Sequence, residues 1–382
     1  MQAVGQRIQS IRERLGMTQE QVAAQLGIPR SAVSEIENGK RELSATELFK
    51  LSQLFGEPMD HLLGIGEVSL EDDLVMLRAQ SVTSTTKAEL NRFVHLCREY
   101  ARLEQLTAER REPDLRPVRT ILSAWTQAWK LADDERKRLG LGATPGHELL
   151  PVLEERAGIK IFFLPLNAEL SGASIRSREF GPAILVNKNH VPGRRVFTTA
   201  HEYFHLLTEG RVAGSKGPER LHVCTSEAPA GRKDPADKLA DQFAAHLLMP
   251  PEYFVEQIRA LQRDTKRIDP FDLNRVGQYF GVSTQAVLVQ MAARKMISWD
   301  HYKRIYNDPA FQERLVRDRG NEAGNEPQRF KSLAMKAYLM EQISRGRLAE
   351  LLDINVAEID EALENHGGIK GMHDGVKLTL PR

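Results

Sequence analysis

The sequence predicts a multidomain, mainly α-helical chain that holds one small mixed α+β region. Three observations predict it. Apolar residues recur at helical spacing over most of the 382 residues, strand-like apolar runs are confined to one stretch near the middle, and turn signals break the first 64 residues at helix-length intervals. With 53 basic against 52 acidic residues, gross charge selects no partner. Only Cys97 and Cys224 could form a disulfide, no N-terminal signal region is visible, and no apolar run reaches the length of a membrane span. The expectation is a soluble, cytoplasmic protein with no membrane partner, in which any metal site relies on His and carboxylate ligands.

In the first segment, Val4, Ile8, Ile11 and Leu15 stand at helical spacing before a stop at Gly16. Thr18 and Gln21 form a capping box, which predicts a second helix over 19–26, ended by Gly27. Pro29 opens a third helix over 30–37, which stops at Asn38-Gly39. Two more helices, over 44–55 and 59–63, close the bundle. Beyond residue 65 the character changes. "KAELNRFVHLCREYARLEQL" carries Leu90, Phe93, Val94, Cys97 and Tyr100 on one face, an amphipathic helix in need of a partner and a candidate dimer element.

"ERREPDLRP" breaks the helical pattern and marks a boundary. After helical stretches over 119–156, "IKIFFLPL", "GASIR" and "PAILVNK" read as strands, and from about 251 the chain is helical again. The expected domains are 1–66, a linker or dimerisation segment at 67–118, a mixed domain at 119–262, and a helical C-terminal region at 263–382.

Directly after the strands comes "TTAHEYFHLLTEG". His201 and His205, at i and i+4, lie one turn apart on one helix face, so two imidazoles can reach one ion. Glu202 is placed to take a proton from water at that ion. Phe197, Ala200, Phe204 and Leu207 supply the apolar stripe that buries the helix. A catalytic zinc needs a third protein ligand. In "DPADKLADQFAAHLLMP", Asp237 and Asp241 fall one turn apart, the first placed to ligate and the second to accept the far N–H of a ligand histidine. His246 lies off that face and reads as surface. Glu209, Glu219 and Glu227 are alternative ligands. His222 and Cys224, in the Gly/Pro-rich stretch between the two motifs, read as cleft lining or plain loop.

"RRVFTTAHEYFHLL" followed by "ADKLADQFAAHLLMP" resembles the ImmA/IrrE family of zinc-dependent metallopeptidases over roughly residues 140–260. The second segment is close to the family's E-x-x-A-N/D-x-F-A-x-x-L-L-M-P, with one departure: Asp237 stands where the family has Glu. Asp is one methylene shorter, so its backbone must approach the metal more closely. The resemblance implies a zincin-like α+β domain, a zinc ion (or manganese), and limited proteolysis of a DNA-binding repressor in answer to stress or phage. One edge of the small sheet is a candidate for binding an extended peptide by strand addition.

"MTQEQVAAQLGIPRSAVSEIENGKREL" is similar to the Xre/Cro-type helix-turn-helix over about residues 4–64. On the exposed face of its recognition helix stand Arg30, Ser31, Ser34 and Glu35. Arg30 suits guanine and Glu35 cytosine, while Gln19, Lys40 and Arg41 are placed for phosphates of a double-stranded operator. Residues 1–64 hold 7 Lys/Arg and 8 Asp/Glu, a net of −1, so affinity from one copy is weak and a homodimer on two half-sites is expected. "LNRVGQYFGVSTQAVLVQMAARKMIS" and the stretch 339–363 look like further helix-turn-helix pairs, the first with few basic residues and the character of a packing element.

Two functions compete: a regulator carrying an endopeptidase that cleaves an Xre-type repressor, and a transcription factor whose peptidase-like domain senses a ligand or partner without turnover. The intact His201, Glu202 and His205 favour the first, and Asp237 favours the second.

Overall fold

The computed structural model describes residues 2–65, 82–215, 221–225, 234–264, 269–309, 311–312 and 326–365. The first five helices are α1 (Gln2–Leu15), α2 (Gln19–Leu26), α3 (Arg30–Glu37), α4 (Ala45–Phe55) and α5 (Met59–Leu63). Local chemistry sets their ends. The Thr18 hydroxyl accepts from Gln21 N at 3.2 Å and Thr18 N donates to Gln21 Oε1 at 2.8 Å, while Gly27 takes the left-handed φ of 73° that turns the chain from α2 toward α3. Ile8, Leu15, Val22, Val33 and Phe55 are buried between the helices. Glu37, also buried, ties three of them together, accepting from Arg12 Nε at 2.6 Å and Gln19 Nε2 at 2.8 Å.

Helix α6 (Ser84–Leu106) follows, then α7 (Trp125–Leu139), α8 (Pro145–Glu155), β1 (Lys160–Leu164), β2 (Leu170–Ser177), β3 (Gly181–Asn187), α9 (Pro192–Thr208), β4 (Leu221–Thr225) and α10 (Pro235–Leu248). The remaining helices are α11 (Pro251–Asp264), α12 (Pro270–Phe280), α13 (Thr284–Ala293), α14 (Trp299–Tyr306), α15 (Arg329–Leu339), α16 (Arg345–Leu352) and α17 (Ile359–Asn365). The chain is thus mainly α, with a four-stranded sheet in the order β1-β3-β2-β4. β1 runs parallel to β3, whereas β2 is antiparallel to both β3 and β4. Among the described residues no helix is long and apolar enough to cross a membrane.

Both faces of the sheet are buried, which is why its strands read as continuous apolar runs. Ile161, Ile184 and Val186 point into one cluster with α7 to α13, and Phe162, Ala183 and Leu185 point into another with α6, the first five helices and α15 to α17. Hydrophobic packing therefore crosses the segment boundaries drawn from sequence. Leu273, Val287 and Met291 share the core of α9, whereas Phe330, Leu333 and Leu348 share the core of α6.

The apolar face of α6, assigned to a dimer partner from sequence, is filled by the chain itself. Phe93 and Tyr100 meet Phe162 edge-on at 6.2 and 5.8 Å, and Phe330 lies 5.1 Å from Phe162. Each such side chain contributes about 1.5–3 kcal/mol by leaving water, which a dimer contact on that face would have to replace. Within the same layer, Glu104 of α6 accepts from Lys160 Nζ of β1 at 2.9 Å and from Arg329 Nη1 of α15 at 2.6 Å. Sheet, linker helix and C-terminal helices are thereby joined by one buried charge cluster.

Candidate functional site

Helix α9 runs beneath the sheet with nearly its whole surface buried: Ala200, Phe204 and Leu207 are fully enclosed and Phe197 partly so. Its HEYFH turn presents His201 and His205 toward α10 and β4, and Glu202 toward β2. Asp234 caps α10, accepting from Ala236 N at 2.8 Å, and Asp237 stands in that helix's first turn. The alanines of α10, Ala236, Ala240 and Ala244, are all buried, as is Ala200 of α9, and such small residues let the two helices lie close enough for the short Asp side chain to reach the imidazoles.

Asp237 Oδ1 lies 3.3 Å from His205 Nε2 and 3.8 Å from His201 Nε2, and the two Nε2 atoms are 3.2 Å apart. A fourth group, His222 of β4, brings its Nε2 to 3.0 Å from Asp237 Oδ1 and stacks its ring on His205 at 3.4 Å. All four ligand atoms lie within 4.8 Å of one another. A tetrahedron with zinc bonds of about 2.1 Å has donor–donor edges of about 3.4 Å, and the four measured separations straddle that value. The residues present therefore fit a divalent cation that takes imidazole and carboxylate donors.

Asp241 Oδ1 lies 3.0 Å from His201 Nδ1, on the far side of the ring from the cluster. Glu202 is fully buried. Its Oε2 accepts from the Ser174 hydroxyl at 2.8 Å, while Oε1 is enclosed with no hydrogen-bond partner. Gly172 makes room for it: a Cβ there would come within 2.7 Å of Thr198 Cγ2 and 3.3 Å of Glu202 Oε1.

The electrostatics follow from burial and convergence. Burial opposes a charge on Asp237, yet contacts with His201, His205 and His222 outweigh it and hold the carboxyl well below the usual range. Burial pushes Glu202 up and His205 well down, the latter into the neutral form that ligates. At His201 burial is outweighed by Cys224, Asp237 and Asp241, which raise it.

Of the sequence candidates, His201, Glu202, His205, Asp237 and Asp241 are brought together. Glu209 is not: it caps α9 in ion pairs with Arg176 and Arg211. Glu219 and Glu227 lie outside the described residues. His246, read as surface, instead stacks on Trp129 and lies 3.2 Å from Asp133. His222 and Cys224, expected as cleft lining or plain loop, are in β4, with Leu221 and Val223 turned into the opposite core. The alternation in "LHVCT" was the signal.

On α3, Arg30, Ser31 and Glu35 are exposed and Ser34 is partly so, with Lys40 exposed just beyond. Arg41 is held by Glu47 at 2.8 Å and Gln19 by Glu37, so both are already engaged inside the bundle.

Two stretches of the chain match known families. Residues 8–62 match the family model described as helix-turn-helix, and residues 154–291 match that of the IrrE N-terminal-like domain. Over 75 residues the chain is 33% identical to the HTH-type transcriptional regulator ImmR of Bacillus subtilis (strain 168), a match covering 20% of this chain and 59% of that relative. It also aligns with the crystal structure of ComR from Streptococcus suis over 96% of this chain and 94% of the other, at 11% identity and a TM-score of 0.16, too low to compare overall arrangement. The chain therefore joins a DNA-binding helix-turn-helix segment of the Xre type to an ImmA/IrrE-type, metallopeptidase-like domain in one polypeptide.

Proposed function

We propose that the protein is a DNA-binding transcriptional regulator whose second domain is a zinc endopeptidase acting on a repressor protein of the Xre type. The observation that carries this reading is the convergence of His201, His205 and Asp237 beside a buried carboxylate, Glu202, with one oxygen held by Ser174 and the other unengaged. Imidazole donors beside a carboxylate favour zinc over harder ions such as manganese. When bound there, zinc supplies Lewis-acid activation of water and of a peptide carbonyl.

The chain's own residues do the rest. His201 and His205 would hold the ion from adjacent turns and Asp237 would complete the set from α10. Asp241 accepts the Nδ1 proton of His201, fixing the tautomer in which Nε2 is the donor. Ser174 anchors Oε2 of Glu202, leaving Oε1 to take a proton from the attacking water and hand it to the leaving amine. Burial raises the affinity of Glu202 for that proton, as a base that must later act as an acid requires.

For DNA, Arg30, Ser31, Ser34 and Glu35 form the face offered to base edges, with Lys40 toward the phosphate backbone. Gln19 and Arg41 act from their internal contacts with Glu37 and Glu47. Of the seven basic residues in 1–64, Arg12, Arg14 and Arg41 are paired with acids within the bundle. A single copy then has little charge to offer, which supports a dimer on a two-fold operator, assembled through a surface other than the apolar face of α6.

The test is cleavage of a purified Xre-type repressor, or of a second copy of this chain, by full-length protein. Glu202→Gln is expected to cut cleavage by about 10²–10⁴-fold while leaving bound zinc unchanged. Fragments that persist in this variant at the wild-type rate exclude zinc proteolysis.

A further inference from the structure

Three side chains from α9 and α10 satisfy what an open, water-admitting zinc site requires, and a fourth donor stands beside them. His222 Nε2 is 3.0 Å from Asp237 Oδ1, closer to that oxygen than either histidine of the HEYFH turn, and its ring lies within 14° of parallel on His205, so that one of the two rings must turn out of the stack for both lone pairs to meet one ion. The placement follows from strand register. Ser174 pairs with His222 and Gly172 with Cys224, so the residues that hold and clear Glu202 on β2 face the same side as His222 and Cys224 on β4. Leu221 and Val223 pack into the core on the other side and fix this orientation.

We propose that His222 is a fourth protein ligand of the metal, so that the centre in this fold is coordinatively closed and His222 must withdraw before water or a substrate carbonyl can enter. The proposal rests on the metallopeptidase reading of the same donors. Four protein ligands are the mark of a structural zinc site and three of a catalytic one, and the identity of the fourth group decides between them. The element carrying His222 suits withdrawal. β4 has five residues and, among the described residues, lies at the sheet edge and pairs with β2 alone, whereas His201, His205 and Asp237 sit on helices buried by the main core. A ligand on the weakest element of a site is the one that exchanges. An extended substrate that pairs along the outer edge of β4, or competes with it for β2, would draw the ligand and the strand away together. Proteolysis would then be latent until such a segment arrives.

The experiment loads the full chain with Co²⁺ in place of zinc and reads the visible absorption of the ion, which is intense for four protein donors in a tetrahedron and weaker, and pH-dependent, once water enters. Wild type is expected to give the intense, pH-independent band, and His222→Ala the weak, titrating one. Zinc release to a chelator should be roughly tenfold or more faster in that variant, and cleavage of the test repressor faster than in wild type. His222→Asn, which keeps polarity and size, controls for packing and should behave as the alanine variant does. Identical cobalt spectra for wild type and both variants overturn the proposal while leaving the three-ligand metal site standing. A thiolate-to-cobalt band that vanishes in Cys224→Ser also overturns it, by naming Cys224 as the fourth donor. Failure of wild type to bind cobalt or zinc at all would remove the metallopeptidase reading itself.

Discussion

Two buried polar clusters lie on opposite faces of the same sheet, and they differ in what they lack. On the α6 side Glu104 pairs with Lys160 and Arg329, and Arg329 also lies 3.9 Å from Glu155 and 3.3 Å from the Tyr100 hydroxyl, so that two cations face two acids within the chain. On the α9 side three imidazoles and a carboxylate direct their ligand atoms at one another, and an oxygen of Glu202 has no partner. The first cluster is complete and binds the C-terminal helices to the sheet. The second is a convergence of ligand atoms, which on the reading proposed above a cation from outside completes. A buried charge cluster thus signals a functional site when it is unbalanced, more than when it is merely buried.

The largest expected effect is on the balanced cluster. Lys160→Met with Arg329→Met leaves Glu104 without either of its two cations and should cost about 3–5 kcal/mol in urea unfolding, because an uncompensated carboxylate then stays buried. Replacing Glu104 by Leu as well should recover most of that loss. If the double variant unfolds like wild type, the cluster is not a structural tie and the comparison breaks.

The unbalanced cluster should respond to metal instead. Zinc at a hundredfold excess over its dissociation constant is expected to stabilise the chain by about 3 kcal/mol, seen as a higher melting temperature that a chelator reverses. His201→Ala with His205→Ala should abolish this response, and Arg329→Met should keep it. Equal responses in both variants would place the ion elsewhere.

Much of this was legible in the sequence, for physical reasons that also explain the rest. The bundle announces itself through local chemistry, since Thr18, Gln21, Gly27 and Ser44 act within three or four residues of themselves. The i, i+4 histidines are equally local. β4 is not: "LHVCT" is short, sits between polar and Gly/Pro-rich stretches, and becomes a strand only because β2 lies alongside it. The local pattern therefore reads His222 as cleft lining or loop. The face of α6 was legible as apolar, but amphipathicity does not say which surface covers it, and here the cover comes from residues as distant as Phe330.

Glu154 offers an intermediate case that sharpens the comparison. It lies on α8 beside the balanced cluster, and its Oε2 accepts from Gln328 N at 3.1 Å, at the start of α15, while Oε1 is buried without a partner. Burial raises its pKa from an ordinary 4.5 to about 7, against hydrogen bonds from the backbone of Gln328 and Arg329 and the charge of Arg329, with Glu155 adding to the rise. The folded chain therefore holds this proton where the unfolded chain has released it. Stability from Glu154 is present below about pH 4.5 and is lost as pH rises toward 7 and beyond. Glu154→Gln keeps an acceptor for Gln328 N and removes the titration. It is expected to flatten the fall in stability over that window and to exceed wild type by roughly 2 to 3 kcal/mol at pH 8. Urea midpoints for both proteins at pH 5 and pH 8 measure this directly. A wild-type chain as stable at pH 8 as at pH 5, relative to the variant, would mean that Arg329 fully compensates Glu154, and the balanced cluster would then extend one residue further than its ion pairs indicate.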